Sequence, residues 1–216
     1  KQGKKCEKYL DSIFCNVGFS KDFTITQLYH EPFFKYQKIP YTPNVCLVGY
    51  FQSEKYFIHN EHLIRNLFSI NEKSEKIINK KYSEILKKNP VGVHVRRGDY
   101  LLDSDHHPVC AQEYYEKAFS MFSEDTIFLL FSDDIDWCRQ NFIGENFNFV
   151  SENEDYIDLF LMSRCKHVII ANSSFSWWAA WLNSDKEKRI VAPRSWFGDQ
   201  VIYDTGDLIP QTWKRI

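Results

Sequence analysis

An α/β fold built on a parallel sheet is what this 216-residue sequence predicts, and two observations carry the prediction. From about residue 53 onward, short apolar segments alternate with amphipathic ones. The apolar segments, such as IFLLF at 127–131 and VIIA at 168–171, are apolar at successive positions rather than alternate ones. Strands covered by helices on both faces show that unbroken pattern, and β and α units alternating at this length imply parallel strands joined by crossovers. The chain is 44% hydrophobic and 17% aromatic, enough for a sizeable core in one large domain or one and a part.

In chain order, the spacing of Phe57, Leu63, Ile64, Leu67 and Phe68 predicts a helix over 54–68, and a charged amphipathic segment predicts a second over 71–86. Pro90 stops that helix and VGVHV at 91–95 reads as a strand, followed by a polar loop from Arg96 to Pro108. Helices are expected at 112–122, 134–142, 155–165 and 174–183. They alternate with strands at 127–131, 147–150, 167–171 and 189–192. Residues 1–50 are rich in Tyr, Phe and Pro, lack clear periodicity and contain no complete βαβ unit. The expected division is therefore an irregular or partial segment over 1–52 and one complete α/β domain over 53–216.

Composition excludes several classes. Twenty-seven basic and 29 acidic residues leave a formal charge of −2 with no basic stripe, so nucleic acid is not an expected partner. Six cysteines, at 6, 15, 46, 110, 138 and 165, have neither C-x-x-C spacing nor histidines in zinc-finger order, and free thiols in a reducing compartment are expected. No run of 18 apolar residues exists and no signal peptide is visible. The chain begins at Lys1 rather than a methionine, so the lack of a visible leader proves little. A cytoplasmic location is expected. No G-x-x-x-x-G-K-[ST], G-x-S-x-G or H-E-x-x-H motif supports a P-loop, hydrolase or zincin reading.

In an open parallel sheet, ligands bind beyond the carboxyl ends of the strands. Those ends deliver His94, Arg96, Arg97 and Asp99 after VGVHV, then Ser132, Asp133 and Asp134 after IFLLF, and Asn172, Ser173, Ser174 and Phe175 after VIIA. Adjacent arginines are permanently charged forks suited to a diphosphate. The Asn-Ser-Ser-Phe-Ser turn opens a helix whose first N–H groups and hydroxyls suit anions. A carboxylate such as Asp133 suits the N–H edge of a guanine, and Gly98 permits a sharp turn after the arginines.

Plainer readings stand beside each of these. The arginines are a solvated pair, Ser173 and Asp134 are helix caps, and His94 is a satisfied core histidine. The cluster of Trp177, Trp178 and Trp181 is core rather than a sugar platform. Asp103, Asp105, His106 and His107 lack regular metal-ligand spacing, and no metal is expected. The tripeptide Arg97-Gly98-Asp99 is an adhesion signal only on a protruding tip, and here it leaves a buried strand.

Four stretches together resemble the α-1,2-fucosyltransferase family, glycosyltransferase family eleven: GYFQSEKYF at 49–57, VGVHVRRGDY at 91–100, FSDDIDWCRQNF at 131–142 and HVIIANSSFSWWAAWL at 167–182. The resemblance spans roughly residues 45–213. It implies a two-domain fold of the GT-B type whose C-terminal Rossmann-like half binds the donor. It also implies inverting, metal-independent transfer of L-fucose from GDP-β-L-fucose to the 2-hydroxyl of a galactose, with GDP-fucose as donor substrate and no cofactor. His94, Arg96, Arg97, Ser132, Asp133, Asn172, Ser173, Ser174 and Phe175 would hold the donor, and Arg97 and Arg96 would be the prime stabilisers of the leaving β-phosphate.

The family's Gly-rich segment, of the GGLGNQ kind, is absent, whereas the C-terminal end resembles the family through Leu208-Ile209-Pro210 and Trp213. N-terminal truncation is the expected reason, and a divergent inactive short member is the alternative. Asp99 is the first candidate for the base that takes the acceptor's proton, with Asp103 and Asp105 as runners-up. A galactose-terminated glycan is the expected acceptor, and a lipid-linked one would bring the enzyme to a membrane surface. Competing readings are a GDP-sugar transferase of other linkage, a sugar-nucleotide-binding module without turnover, and an adhesion module.

Overall fold

The computed structural model describes residues 9–20 and 22–216. Two short strands, β1 (Gln27–His30) and β2 (Val45–Val48), pair in parallel by themselves. After helices α1 (Glu61–Leu67) and α2 (Glu72–Leu86) comes the main sheet: β3 (Val91–Val95), β4 (Phe128–Ser132), β5 (Phe147–Phe149), β6 (His167–Ile169), β7 (Ile190–Ala192) and β8 (Lys214–Arg215). Helices α3 (Gln112–Phe119), α4 (Ile135–Asn141), α5 (Asp155–Ser163) and α6 (Ser174–Leu182) connect its strands.

The six strands run parallel in the spatial order β5-β4-β3-β6-β7-β8. That is the doubly wound Rossmann order, and growth of the sheet reverses direction between β3 and β6. The α/β, Rossmann-like prediction therefore holds.

Strand pleating explains the unbroken apolar runs. Val91, Val93 and Val95 face one core with Tyr115, Ala118, Phe128, Leu130 and Ile169. Their neighbours in the sheet, Leu129, Phe131, Val168 and Ile170, face the opposite core with Leu161, Met162, Trp177 and Trp181. Alternate residues thus enter different cores, and both sides must be apolar. Each fully buried Val or Leu contributes about 1.5–3 kcal/mol. The tryptophan cluster is part of this core. Asn71 caps α2 by accepting from Ser74 N at 2.8 Å, and Asp134 caps α4 by accepting from Trp137 N at 3.3 Å.

The structure differs from the sequence prediction in four places. The helix expected over 54–68 is two 3₁₀ turns, Glu54–Tyr56 and Ile58–Asn60, followed by α1. Phe57 breaks it at φ −138°, ψ −2°, where its ring stacks on Trp178 at 5.3 Å and meets Trp181 edge-on at 5.1 Å. Tertiary packing of that ring outweighs helical continuation. The loop over 96–108 contains a 3₁₀ helix at Gly98–Leu102, and α3 ends at Phe119 rather than 122. Strands β1, β2 and β8 were not predicted, since two to four residues are too few to display a period.

The segment before residue 53 lies against the C-terminal loop. Phe34 stacks on Tyr203 at 5.0 Å, and Tyr36 N donates to Asp207 at 3.2 Å. Cys15, Cys46, Cys110, Cys138 and Cys165 are free, and Cys6 lies outside the described residues. Among the described residues, no helix is long and apolar enough to cross a membrane.

Candidate functional site

Strands β3 and β6 are neighbours at the switch point, with Val93 beside Ile169. Beyond their carboxyl ends lies a cavity of about 730 Å³. On the β3 side it is bordered by Arg96, Asp99, Tyr100 and Asp103, and on the β6 side by Asn172, Ser173, Ser174 and Phe175.

The two arginines diverge. Arg96 faces the cavity, its guanidinium held by Asp99 at 2.6 Å and Asp133 at 3.1 Å, with the Tyr100 ring 5.3 Å away. Arg97 does not border the cavity. Its guanidinium lies 3.9 Å from the centre of the Trp137 ring and pairs with Asp134 at 3.1 Å, and its side chain is 16% exposed. Of the two prime candidates, only Arg96 borders the cavity. Arg97 instead locks the turn onto α4, so the adhesion tripeptide is not displayed on a tip.

Asp133 is occupied twice, accepting from Arg97 N at 2.9 Å and from Arg96. This explains Gly98. Its φ is not positive, but any side chain there would collide with the Asp133 carboxylate. The glycine serves close approach rather than a special turn. Ser132 turns inward, its hydroxyl accepting from Asp134 N at 2.9 Å. Neither Ser132 nor Asp133 lines the cavity.

His94 lies beneath the site. It is 5% exposed, packs 5.2 Å from Phe175, and its Nδ1 has no hydrogen-bond partner. Burial, with help from the Arg96 charge, pushes its pKa down to about 3, so the ring is neutral at physiological pH. Burial also raises the Tyr100 pKa, keeping the hydroxyl protonated to donate to Asn172 O at 3.0 Å.

On the β6 side, the Asn172 amide donates to Pro108 O at 2.9 Å and Trp196 O at 3.0 Å, and its oxygen accepts from Cys110 at 3.5 Å. Asn172 is 1% exposed and fully engaged, so it fixes two loops beside the cavity. Ser173 occupies the N-cap of α6 yet makes no side-chain cap hydrogen bond. The first-turn N–H groups of α6 have no partner within the helix, and Ser173, Ser174 and Phe175 border the cavity.

Sequence reasoning did not single out Tyr50, Gln52, Trp196, Phe197 and Tyr203, which also border the cavity. The stretch GYFQSEKYF holds the first two; the others show only aromatic density. Asp103, His106 and His107 also border the cavity, and Asp105 does not. Among the described residues, no three His, Cys, Asp or Glu side chains gather as they would around a metal.

The family model described as glycosyl transferase family 11 matches residues 10–215. An O-antigen biosynthesis glycosyltransferase, WbnK, of Escherichia coli is 36% identical over 201 residues, covering 87% of this chain and 66% of that protein. An alpha-1,2-colitosyltransferase of Escherichia coli is 35% identical over 186 residues, covering 80% of this chain and 63% of its own length. A galactoside alpha-(1,2)-fucosyltransferase 1 of Ateles belzebuth is 28% identical over 65% of this chain and 43% of its own. The chain thus spans less than two thirds of the length of these relatives. Among solved structures, the NodZ alpha-1,6-fucosyltransferase soaked with GDP-fucose is 24% identical with a TM-score of 0.45, over 64% of this chain and 50% of that one; nothing below rests on that likeness. A switch-point cleft with an arginine at its edge, in a chain matched by the family model almost throughout, is that of a member of glycosyl transferase family 11.

Proposed function

We propose that this chain binds GDP-β-L-fucose in the switch-point cleft and takes part in inverting transfer of L-fucose to the 2-hydroxyl of a galactose-terminated glycan. The observation that carries the reading is Arg96 facing the opening turn of α6 across one cavity. The barrier is departure of a diphosphate from an oxocarbenium-like sugar, so negative charge grows on the β-phosphate oxygens. Arg96, already oriented by Asp99 and Asp133, supplies a fixed fork there. The free N–H groups of α6 and the uncommitted Ser173 hydroxyl supply donors from the other wall.

A second donor has specific support, because one relative at 35% identity is named a colitosyltransferase. Colitose differs from L-fucose in lacking the 3-hydroxyl, and Arg96 would read the diphosphate of either. The test is GDP release with GDP-fucose and GDP-colitose, each against a panel of β-galactosides, followed by linkage analysis. Release with GDP-fucose and an α-1,2 product is expected. Release only with GDP-colitose selects the second donor, and release with neither ends the transferase reading for this chain.

A further inference from the structure

We propose that His106, oriented by Asp103, is the proton acceptor for the incoming acceptor hydroxyl; this rests on the glycosyl-transfer reading above. Asp99 and Asp103 are the carboxylates bordering the cavity among the described residues, and they are committed differently. Asp99 pairs with Arg96 at 2.6 Å and so belongs to the phosphate-facing group. Asp103 pairs with His106, its Oδ1 lying 2.7 Å from Nδ1. A carboxylate accepting from Nδ1–H fixes the imidazole tautomer and leaves the Nε2 lone pair free to take a proton.

The pair is held in place by its backbone. His106 N and His107 N both donate to Asp103 O, at 3.2 and 2.8 Å, and Gly198 N donates to His106 O at 3.0 Å. A side chain at Gly198 would collide with the Asp105 carbonyl, so residues 103–106 lie flush on the Trp196–Gly198 segment. His107 has no such orientation. Its Nδ1 is buried without a partner and its ring stacks on Tyr100 at 5.0 Å.

The step balances as follows. The acceptor oxygen bonds to the anomeric carbon, and the bond from that carbon to the β-phosphate oxygen breaks with its electron pair remaining on GDP. The acceptor's proton passes to His106 Nε2 and later to water. The titratable and charged groups facing His106 across the cavity are Arg96, Asp99, Tyr100, Asp103, His107 and Tyr203.

The experiment measures GDP release with GDP-fucose and a β-galactoside from pH 5 to 8, with GDP affinity by calorimetry, for the parent chain, His106→Gln and Asp103→Asn. Replacing a positioned proton acceptor lowers kcat by about 10²–10⁴-fold. His106→Gln is therefore expected to lose at least 100-fold in kcat, keep GDP affinity within about twofold, and lose the parent's decline of kcat on the acid side. Asp103→Asn is expected to lose less, because it weakens the group that orients the ring and leaves the imidazole in place. A His106→Gln protein that keeps kcat, or keeps the parent's acid decline, overturns the inference and leaves the transferase reading standing. If His106→Gln no longer binds GDP, Asp103→Asn decides: unchanged kcat at unchanged GDP affinity overturns the inference. No GDP release by the parent from GDP-fucose or GDP-colitose with any galactoside overturns both.

Discussion

The two walls of the cleft are built in opposite ways. The β3 wall carries charged groups already engaged: Arg96 is held by Asp99 and by Asp133 behind it, and Asp103 lies against His106, while Arg97 pairs with Asp134 away from the cavity. The β6 wall is uncharged and starts from buried Asn172 and Ser173, with Asn172 satisfied by three partners and α6 opening without a side-chain cap bond. One wall holds charge that can be exchanged for that of a ligand. The other holds geometry, with backbone donors fixed by an amide that cannot move without orphaning buried carbonyls. A site that must bind a diphosphate and then stabilise its departure needs both.

The largest effect that would break this contrast lies on the charged wall. Arg96→Ala is expected to slow GDP release by about 10²–10³-fold, roughly 3–4 kcal/mol of transition-state stabilisation. Arg97→Ala should instead cost about 1 kcal/mol of folding stability, for its partly buried ion pair and its contact with Trp137, and spare most of the turnover. Equal loss of turnover in both variants would show that the two arginines are not divided as their contacts imply.

On the neutral wall, Asn172→Ala should destabilise by about 2–3 kcal/mol, because two backbone carbonyls and a half-buried cysteine lose their partner. Urea denaturation measures this. A change below 0.5 kcal/mol, on the scale of an ordinary surface substitution, would remove Asn172 from the framework.

A buried and a half-buried titratable group give the next effect, and they oppose each other. Burial, and secondarily Arg96, lowers the His94 pKa to about 3. The unfolded chain therefore binds its proton first on acidification, and the associated stability, complete above about pH 6.5, is lost as pH falls. Burial raises Asp158 to about 6, partly offset by its Asn153 hydrogen bond. The folded chain binds that proton first, so stability rises as pH falls from about 7 towards 4. Between pH 7 and 5 these amount to roughly −2 and +1 kcal/mol. His94→Gln should thus gain relative stability on acidification, and Asp158→Asn should lose more than the parent. Parallel pH profiles for all three proteins would remove both assignments.

The smallest effect concerns Ser173. Its hydroxyl caps nothing, so Ser173→Ala should leave stability within 0.5 kcal/mol while weakening GDP binding by about 1 kcal/mol, near fivefold. Lost stability with unchanged GDP affinity would make it a structural residue after all.

Much of the fold was legible because buried strands announce themselves. IFLLF and VGVHV, His94 apart, are apolar or small on both faces, and Asp134 marks a helix start through its side-chain oxygen. The site was legible as three strand ends, since strand position alone brings residues 96, 133 and 172 to one edge. What each side chain does there was not legible. Nothing in the dipeptide Arg96-Arg97 says that one guanidinium enters the cleft and the other lies on Trp137, because that depends on a ring 40 residues away. The aromatic wall at 196–203 was equally silent, since loop residues carry no periodicity.

The sequence by itself determined a parallel α/β sheet and the clustering of polar residues at its carboxyl edge, both of which follow from local pattern and strand direction. Only the tertiary structure decided that the sheet reverses between β3 and β6, that Arg96 rather than Arg97 faces the cavity, that Gly98 makes room for Asp133, and that Asp103 orients His106. Those are distances between residues remote in the chain or turned by a loop, and hydrophobic pattern does not encode them.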